Sequence, residues 1–371
     1  MTDATSKDIT PELIISKSFH KGLTNRYSKY VSIIVNLKNQ YYSMEHQSSL
    51  AFQNFSYNYS NFIPQANIKY HTHQYGDYEM DYGLNLTTGV TFPGVNNIAP
   101  VIDSTNVWYI PKGNPNIKPQ YKKELGFTYN FTTRKPKNPL IINLNMGVGR
   151  IDDNITDSTL YDNAGVRTVY AVNINGNQFA NSGISVKKSL ELRKKNTFEV
   201  EARYNITLSR DPQYINSVLN ISNSTNHAMR AILNFRHKDI VTMNLEEGLS
   251  FYYAKQHGFN ESGFKSNNLY LQFIGALQLP QKLVWSTNIT YNKSGSNNSN
   301  PIYFTIWNAS LTYRFLKSNR GEVKFSALDL LRQNKSIVNT SIGNTQIFTN
   351  SNVLQQYFIF TLSYYPRKFG K

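Results

Sequence analysis

The sequence predicts an all-β fold, an antiparallel transmembrane β-barrel, on three observations. Period-two alternation recurs along most of the chain, its connections alternate between short and long, and no apolar run reaches the ~18 residues of a membrane helix. Composition agrees: 13% of the 371 residues are aromatic, with 26 Tyr and 21 Phe, yet mean hydropathy is −0.47. A wall whose strands show only alternate residues to lipid reconciles the two, because its other face can be wholly polar.

Alternation is clearest from Phe198 to Leu208. There Phe198, Val200, Ala202, Tyr204, Ile206 and Leu208 oppose Glu199, Glu201, Arg203, Asn205 and Thr207. Trp285, Thr287, Ile289 and Tyr291 repeat it against Ser286, Asn288, Thr290 and Asn292, and so do Trp307, Ala309, Leu311, Tyr313 and Phe315. Further runs lie at 31–37, 125–131, 140–148, 231–235, 323–327 and 358–364. In all, roughly 14–16 strands are predicted, many of about 10 residues or more, the length a tilted strand needs to cross a bilayer.

Short turns are expected at Lys194-Lys195-Asn196, His237-Lys238-Asp239, Leu279-Pro280-Gln281-Lys282 and Lys317-Ser318-Asn319-Arg320. Between them fall longer polar loops at 210–226, 258–263, 294–301 and 331–351. Short periplasmic turns facing long outer loops are the barrel pattern. Trp285, Tyr291, Tyr303, Trp307, Tyr313, Phe315, Tyr364 and Tyr365 near strand ends suit interfacial belts.

The net charge of +16 and pI near 9.6 do not select nucleic acid, because Lys and Arg are spread along the chain rather than forming one stripe. With no cysteine there are no disulfides and no thiolate metal sites. Met1 to Asp8 show no basic segment followed by an apolar one, so no secretory signal is visible there.

Candidate chemistry is sparse. His71 and His73 share a strand face and could approach a metal, but with no third ligand evident nearby a polar strand end beside the turn at 74–77 is the favoured reading. Asp152, Asp153, Asp157 and Asp162, with Asn154 and Asn163, match no standard cation-loop spacing and suit a solvated outer loop. Glu199, Glu201 and Arg203 suit a lumen wall. With no nucleophile–base order or phosphate-binding glycine loop, the chain is expected to be no enzyme, with no cofactor and no resident metal.

Gly113-Asn114-Pro115-Asn116-Ile117-Lys118-Pro119, followed by Glu124-Leu125-Gly126 entering a strand, resembles a stretch typical of TonB-dependent outer-membrane receptors. That family's loop reads Gly-Asn-Pro-x-Leu-Lys-Pro-Glu; here Ile117 replaces Leu and Gln120 replaces Glu. Pro93-Gly94, Ile98-Ala99-Pro100 and Asp329-Leu330-Leu331-Arg332-Gln333-Asn334 resemble pieces of the related outer-membrane β-barrel family.

The resemblance implies a bacterial outer-membrane location, lipid contact and uptake of a small ligand. Such receptors have about 22 strands around a plug, and TonB machinery acts through that plug. Residues 1–371 would then be one domain, the C-terminal part of a larger barrel from a truncated or split receptor, without plug or signal peptide. Ligand contacts would sit in the loops at 92–116, 152–165 and 210–226. An independent porin-like barrel and a soluble β-rich adhesin are the alternatives.

Overall fold

Branched and aromatic residues at every second position pack along one face of a pleated ladder, leaving their polar neighbours on the other. The computed structural model describes residues 2–24, 26–99, 106–134, 138–192, 195–258, 262–279, 282–297, 299–334, 336–342, 345–351 and 353–366. Of the sequence expectations, Pro100, Lys194, Pro280 and Gln281 fall outside these residues.

β1 (Thr2–Ile9) and β2 (Glu12–Thr24) are one strand interrupted at Thr10-Pro11, since both pair with β3 (Tyr27–Ser48) in a single register. Pro11 has no amide to donate, but its carbonyl continues the ladder by accepting the Asn39 amide at 3.1 Å. β4 (Phe55–Gln74) and β5 (Tyr78–Thr91) follow in antiparallel order. Past α1 (Val95–Ile98) and β6 (Tyr109–Lys112), the wall resumes with β7 (Gln120–Thr133) and β8 (Leu140–Asp152).

A hairpin of β9 (Asn154–Tyr161) and β10 (Arg167–Ile174) then leaves the wall. β11 (Asn177–Leu192), β12 (Asn196–Ile215), β13 (Val218–His237) and β14 (Val241–His257) extend it. β15 (Ser262–Leu279), β16 (Leu283–Ser296), β17 (Ser299–Phe315) and β18 (Gly321–Leu328) follow. After a separate hairpin, β19 (Ser336–Ile342) with β20 (Thr345–Ser351), the last wall strand is β21 (Tyr357–Tyr364).

With β1 and β2 counted as one, fifteen strands form an antiparallel meander, within the expected range. With β6, β9 and β10 added and β1 and β2 counted separately, they form one 19-stranded sheet. Among the described residues no ladder joins β1 or β2 to β21, so the meander has two open edges.

Register assigns the faces, because residues opposite each other across a ladder share a side. Val200, Leu233, Leu245, Phe273, Ile289 and Trp307 form one continuous row on the apolar face. Glu199, Asn234 and Asn244 form the next row, on the polar face. The charged side chains of Lys17 and Glu247 interrupt the apolar face, opposite Ile33 and Leu271 respectively.

The expected short turns at Lys238–Ile240 and Leu316–Arg320 lie at one end, with that at Tyr75–Asp77. At the other end, several expected loops are strand instead. Residues 210–226 continue β12 and β13 to a two-residue turn, Asn216-Ser217, whose φ of 47° and 65° matches a type I′ hairpin. Residues 152–165 hold β9, 294–301 carry the ends of β16 and β17, and 331–351 hold β19 and β20. These segments hydrogen-bond to neighbours without alternating apolar residues, so periodicity does not reveal them.

Pro64 marks a branch point. β5 pairs with β4 only from Ala66 to Gln74, and the Pro64 carbonyl takes the Thr88 hydroxyl at 2.7 Å instead of a ladder amide. Beyond it β3 and β4 rise as a ribbon, and there Met44, Ile98, Ala99, Ile117 and Ala171 build a small hydrophobic core. The molecule thus has an extended wall and a capped long-connection end.

Candidate functional site

The polar face of the wall is a network of compensated charges. Arg230 meets Glu246 through two bonds, at 2.8 and 2.7 Å, and the Tyr270 hydroxyl also donates to Glu246. Glu199 accepts from Lys187 at 2.9 Å, Ser189 at 3.1 Å and Asn234 at 3.3 Å, while Arg203 pairs with Glu201. The expected lumen-lining trio of Glu199, Glu201 and Arg203 therefore lies on this face with every charge partnered.

The motif around Gly113 builds a clasp at the capped end. A Cβ on Gly113 would lie 1.8 Å from the Ile98 carbonyl oxygen, so only glycine lets these two backbones touch. The Asn114 amide donates to Asn97 O at 2.9 Å, and its side chain donates to Ala171 O at 2.9 Å while accepting from the Asn116 amide at 3.0 Å. Ile117, 2% exposed, plugs the core, and Pro119 is buried beside it. Lys118 is held by its backbone alone, exchanging bonds of 2.7 and 2.8 Å with the Asn173 side chain.

Tyrosines of β4 tie the clasp to the wall. Tyr57 donates to the Pro115 carbonyl at 2.6 Å and Tyr59 to that of Ile117 at 3.4 Å. Burial pushes both phenols above the ordinary tyrosine range, with neighbouring Tyr57 and Tyr42 adding to the effect on Tyr59.

The three segments expected to carry ligand contacts converge on one small sheet. β6 pairs in parallel with β10, β10 runs antiparallel to β9, and β9 pairs in parallel with the tip of β12. This register puts Arg167 directly opposite both Tyr109 and Tyr161. The Arg167 guanidinium lies 5.6 Å from the Tyr109 ring centroid, and its Nε is buried without a hydrogen-bond partner. Trp108, 61% exposed, stands beside them.

Sequence reasoning named the segments but missed Trp108, Tyr109, Tyr161 and Arg167. Two signals were available: an aromatic pair inside a polar loop, and a hairpin turn at Asp162–Gly165 flanked by Tyr161 and Arg167. In that turn Asp162 Oδ1 accepts the Ala164 and Val166 amides at 2.9 and 2.8 Å.

The remaining motif residues are structural. Glu124 lies on the polar face and pairs with Lys122 at 2.8 Å. Asp329, 2% exposed with φ 48°, accepts the Gln333 and Asn334 amides at 3.0 Å each. The Leu330 amide donates to Trp307 O at 2.9 Å, and the Asn334 side chain reaches Leu354 O at 3.4 Å. Together they cap the wall where the chain leaves β18.

Folding supplies His71 with the acidic neighbours that its sequence surroundings did not indicate. Among the described residues His71, Glu79 and Asp81 are the group whose ligand atoms approach within 4.8 Å of one another, and His73 is not part of it. Asp81 is paired with Lys69 at 3.0 Å and lies 2.8 Å from His71 Nδ1, and Glu79 is paired with Arg134. Asp152 pairs with Lys123 at 2.7 Å, Asp157 stands on β9 and Asp162 caps its turn, so the aspartates do not gather into a cation site.

A family model for the outer membrane protein beta-barrel family matches residues 23–213 and 189–364. No curated protein matches the sequence. Among solved structures the chain is similar to the copper transporter OprC, at 8% identity and TM-score 0.34, over 97% of this chain and 70% of that one. It is similar to the outer membrane transporter YddB from Escherichia coli at 10% identity and TM-score 0.32, over 86% of this chain and 54% of that one. A loop-deleted OmpT of Vibrio cholerae aligns at 9% identity and TM-score 0.22, over 82% of this chain and 98% of that one.

Proposed function

The chain belongs to the outer membrane protein β-barrel family, and on that premise we propose that it is the wall and outer ligand platform of a TonB-dependent-type receptor. Its apolar face meets outer-membrane lipid, and its long connections face outward. The wall strands, 17 residues in β14 and 22 in β3, exceed the ~10 needed to span, so the capped end projects beyond the bilayer. In this reading residues 1–371 act as barrel wall and outer loops, by binding and passage without catalysis.

The observation that carries the reading is the convergence of 92–116, 152–165 and 210–226 on one external sheet bearing Trp108, Tyr109, Tyr161 and Arg167. Aromatic faces and a guanidinium at the mouth of a lumen suit capture of a scarce small ligand with a planar or anionic group. A plug and the TonB machinery would then complete energised uptake.

Uptake in the natural host tests this. Strains producing the chain or its W108A/R167A variant would be grown on a panel of limiting iron chelates, glycans and peptides as sole source. The expected result is that one compound's uptake falls at least tenfold in the variant and is abolished by an uncoupler. Uptake that persists with the uncoupler, together with a stable single-channel current from the purified chain in planar bilayers, would replace this reading with the porin-like one.

A further inference from the structure

The two faces of the wall treat positive charge differently. On the polar face Lys187, Arg203 and Arg230 each meet a carboxylate. On the apolar face, toward the capped end, Lys123, Arg150, Gln178, Arg210, Asn223 and Lys255 are successive partners across five ladders and so form one row. Lys265 and Lys293 continue this arc on the same face, in lower rows opposite Tyr253 and Leu269. Acid is scarce beside them: Asp152 serves both Lys123 at 2.7 Å and Arg150 at 3.2 Å, and among the described residues Arg210 and Lys255 have no ion-pair partner. Lys265 and Lys293 lie over the rings of Tyr253 and Tyr303, each 5.5 Å from the centroid.

Height explains why cations sit on a face turned to lipid. Each stands about 10 to 14 residues above the short-turn end of its own strand, and a tilted strand crosses a bilayer in ~10. The arc therefore lies where outer hydrocarbon gives way to headgroups. Directly beneath it the face is hollowed. Ala180 sits between Val148 and Leu208, and Ser182 between Met146 and Ile206, so small side chains on β11 run between larger ones on β8 and β12. This leaves a groove of about 750 Å³ under Lys123, Arg150 and Arg210. A second hollow of about 320 Å³, lined by Met146, Ser182 and Ile206, continues it toward the short-turn end.

A ligand passing through the lumen cannot reach this side of the wall. Its occupant must offer anionic oxygens at headgroup height, where charge-assisted bonds to Lys and Arg form, and hydrocarbon immediately below. We propose that the arc and groove bind a phosphorylated lipid of the outer leaflet, its phosphate on Lys123, Arg150 and Arg210 and an acyl chain in the groove over Ala180 and Ser182. The inference rests on the orientation of the wall in the outer membrane, with its capped end outward, and is independent of TonB-dependent uptake.

Native mass spectrometry tests this on protein purified in detergent from outer membranes of cells that naturally make it, stripped of lipid and titrated with phosphorylated lipid A. K123Q/R210Q should weaken binding at least tenfold, since each cation at a headgroup contributes about fivefold. A180W, which fills the groove and leaves every charge in place, should weaken it as well. Dephosphorylated lipid A should bind the unmodified chain as weakly as phosphorylated lipid A binds K123Q/R210Q. K187Q, on the polar face, should leave the affinity unchanged, and excess inorganic phosphate should not displace the lipid.

Equal affinity for the two forms of lipid A, unchanged binding in K123Q/R210Q or in A180W, equal weakening in K187Q, or displacement by inorganic phosphate would each overturn the proposal. The comparison of the two lipids uses the unmodified chain, so it decides even where a substitution prevents folding. A chain that binds the lipid through these residues but takes up no ligand upholds the site and removes the receptor reading. A chain that takes up ligand yet binds both lipids alike does the reverse.

Discussion

The wall and the cap are stabilised in different ways. In the wall no single residue is indispensable: strands of 8 to 22 residues repeat one pattern, and each apolar side chain adds a similar increment against lipid. In the cap a few residues carry the structure: Gly113 against Ile98, Asn114 bridging Asn97 and Ala171, and Ile117 in the core. A pattern repeated many times tolerates local damage, whereas a clasp built from single contacts does not. Substitutions should therefore separate the two regions.

Gly113→Val tests this most severely. Its Cβ would overlap the Ile98 carbonyl, and backbone cannot retreat as a flexible side chain can, so a local loss of roughly 4 kcal/mol or more is expected. Limited proteolysis should then cut within 92–119 while the strands keep their protection in detergent. If the wall lost protection along with the loop, the two regions would be one cooperative unit and the contrast would fail.

Leu271→Arg comes next and attacks the wall. Leu271 faces Glu247 and Tyr291 on the apolar face, where a buried cation is expected to cost about 2–4 kcal/mol in a folding titration from urea into lipid vesicles. The neighbouring Gln272→Arg, on the polar face beside Asn288 and Thr290, should shift the midpoint far less. Equal shifts would mean that the faces are wrongly assigned.

That contrast also explains what the sequence could disclose. The wall was legible because Phe198, Val200, Ala202, Tyr204, Ile206 and Leu208 alternate with polar residues long enough for period two to exceed chance. The motif from Gly113 to Pro119 was legible as a resemblance, but its role as a clasp was not, because its partners Ile98, Ala171, Asn173 and Tyr57 lie up to 58 residues away. β6, only 4 residues long, pairs in parallel with β10 and carries no periodic signal. Asn216-Ser217 is a weaker turn signal than Asn-Gly, so β12 and β13 were expected to stop where a polar loop seemed to begin. The site residues Trp108, Tyr109, Tyr161 and Arg167 meet only through those unreadable pairings.

Ile117→Val trims one methyl group from the cap core and should cost roughly 1 kcal/mol. Hydrogen exchange should quicken at the Asn114 and Ile117 amides, which donate to Asn97 and Asn114, and stay unchanged in β14 and β15. Exchange that quickened evenly along the wall would contradict a separate core.

The smallest effect is a pH response confined to the clasp. Tyr57 and Tyr59 donate their hydroxyl protons to the Pro115 and Ile117 carbonyls, and burial raises both phenols above their ordinary value. A raised phenol holds its proton more tightly in the folded state. Its contribution is therefore complete below the unfolded value of about 10 and is lost as pH rises through the folded values. Ionised, each tyrosine would face a carbonyl oxygen with no proton to give, and the two charges would repel across stacked rings 5.9 Å apart. Protease cleavage within 92–119 should thus accelerate above about pH 10 while the far-ultraviolet dichroism of the wall stays level, and Tyr57→Phe should blunt that acceleration. Cleavage that rises equally in Tyr57→Phe would assign the alkaline loosening to other groups and leave the tyrosine ties without a role in holding the cap.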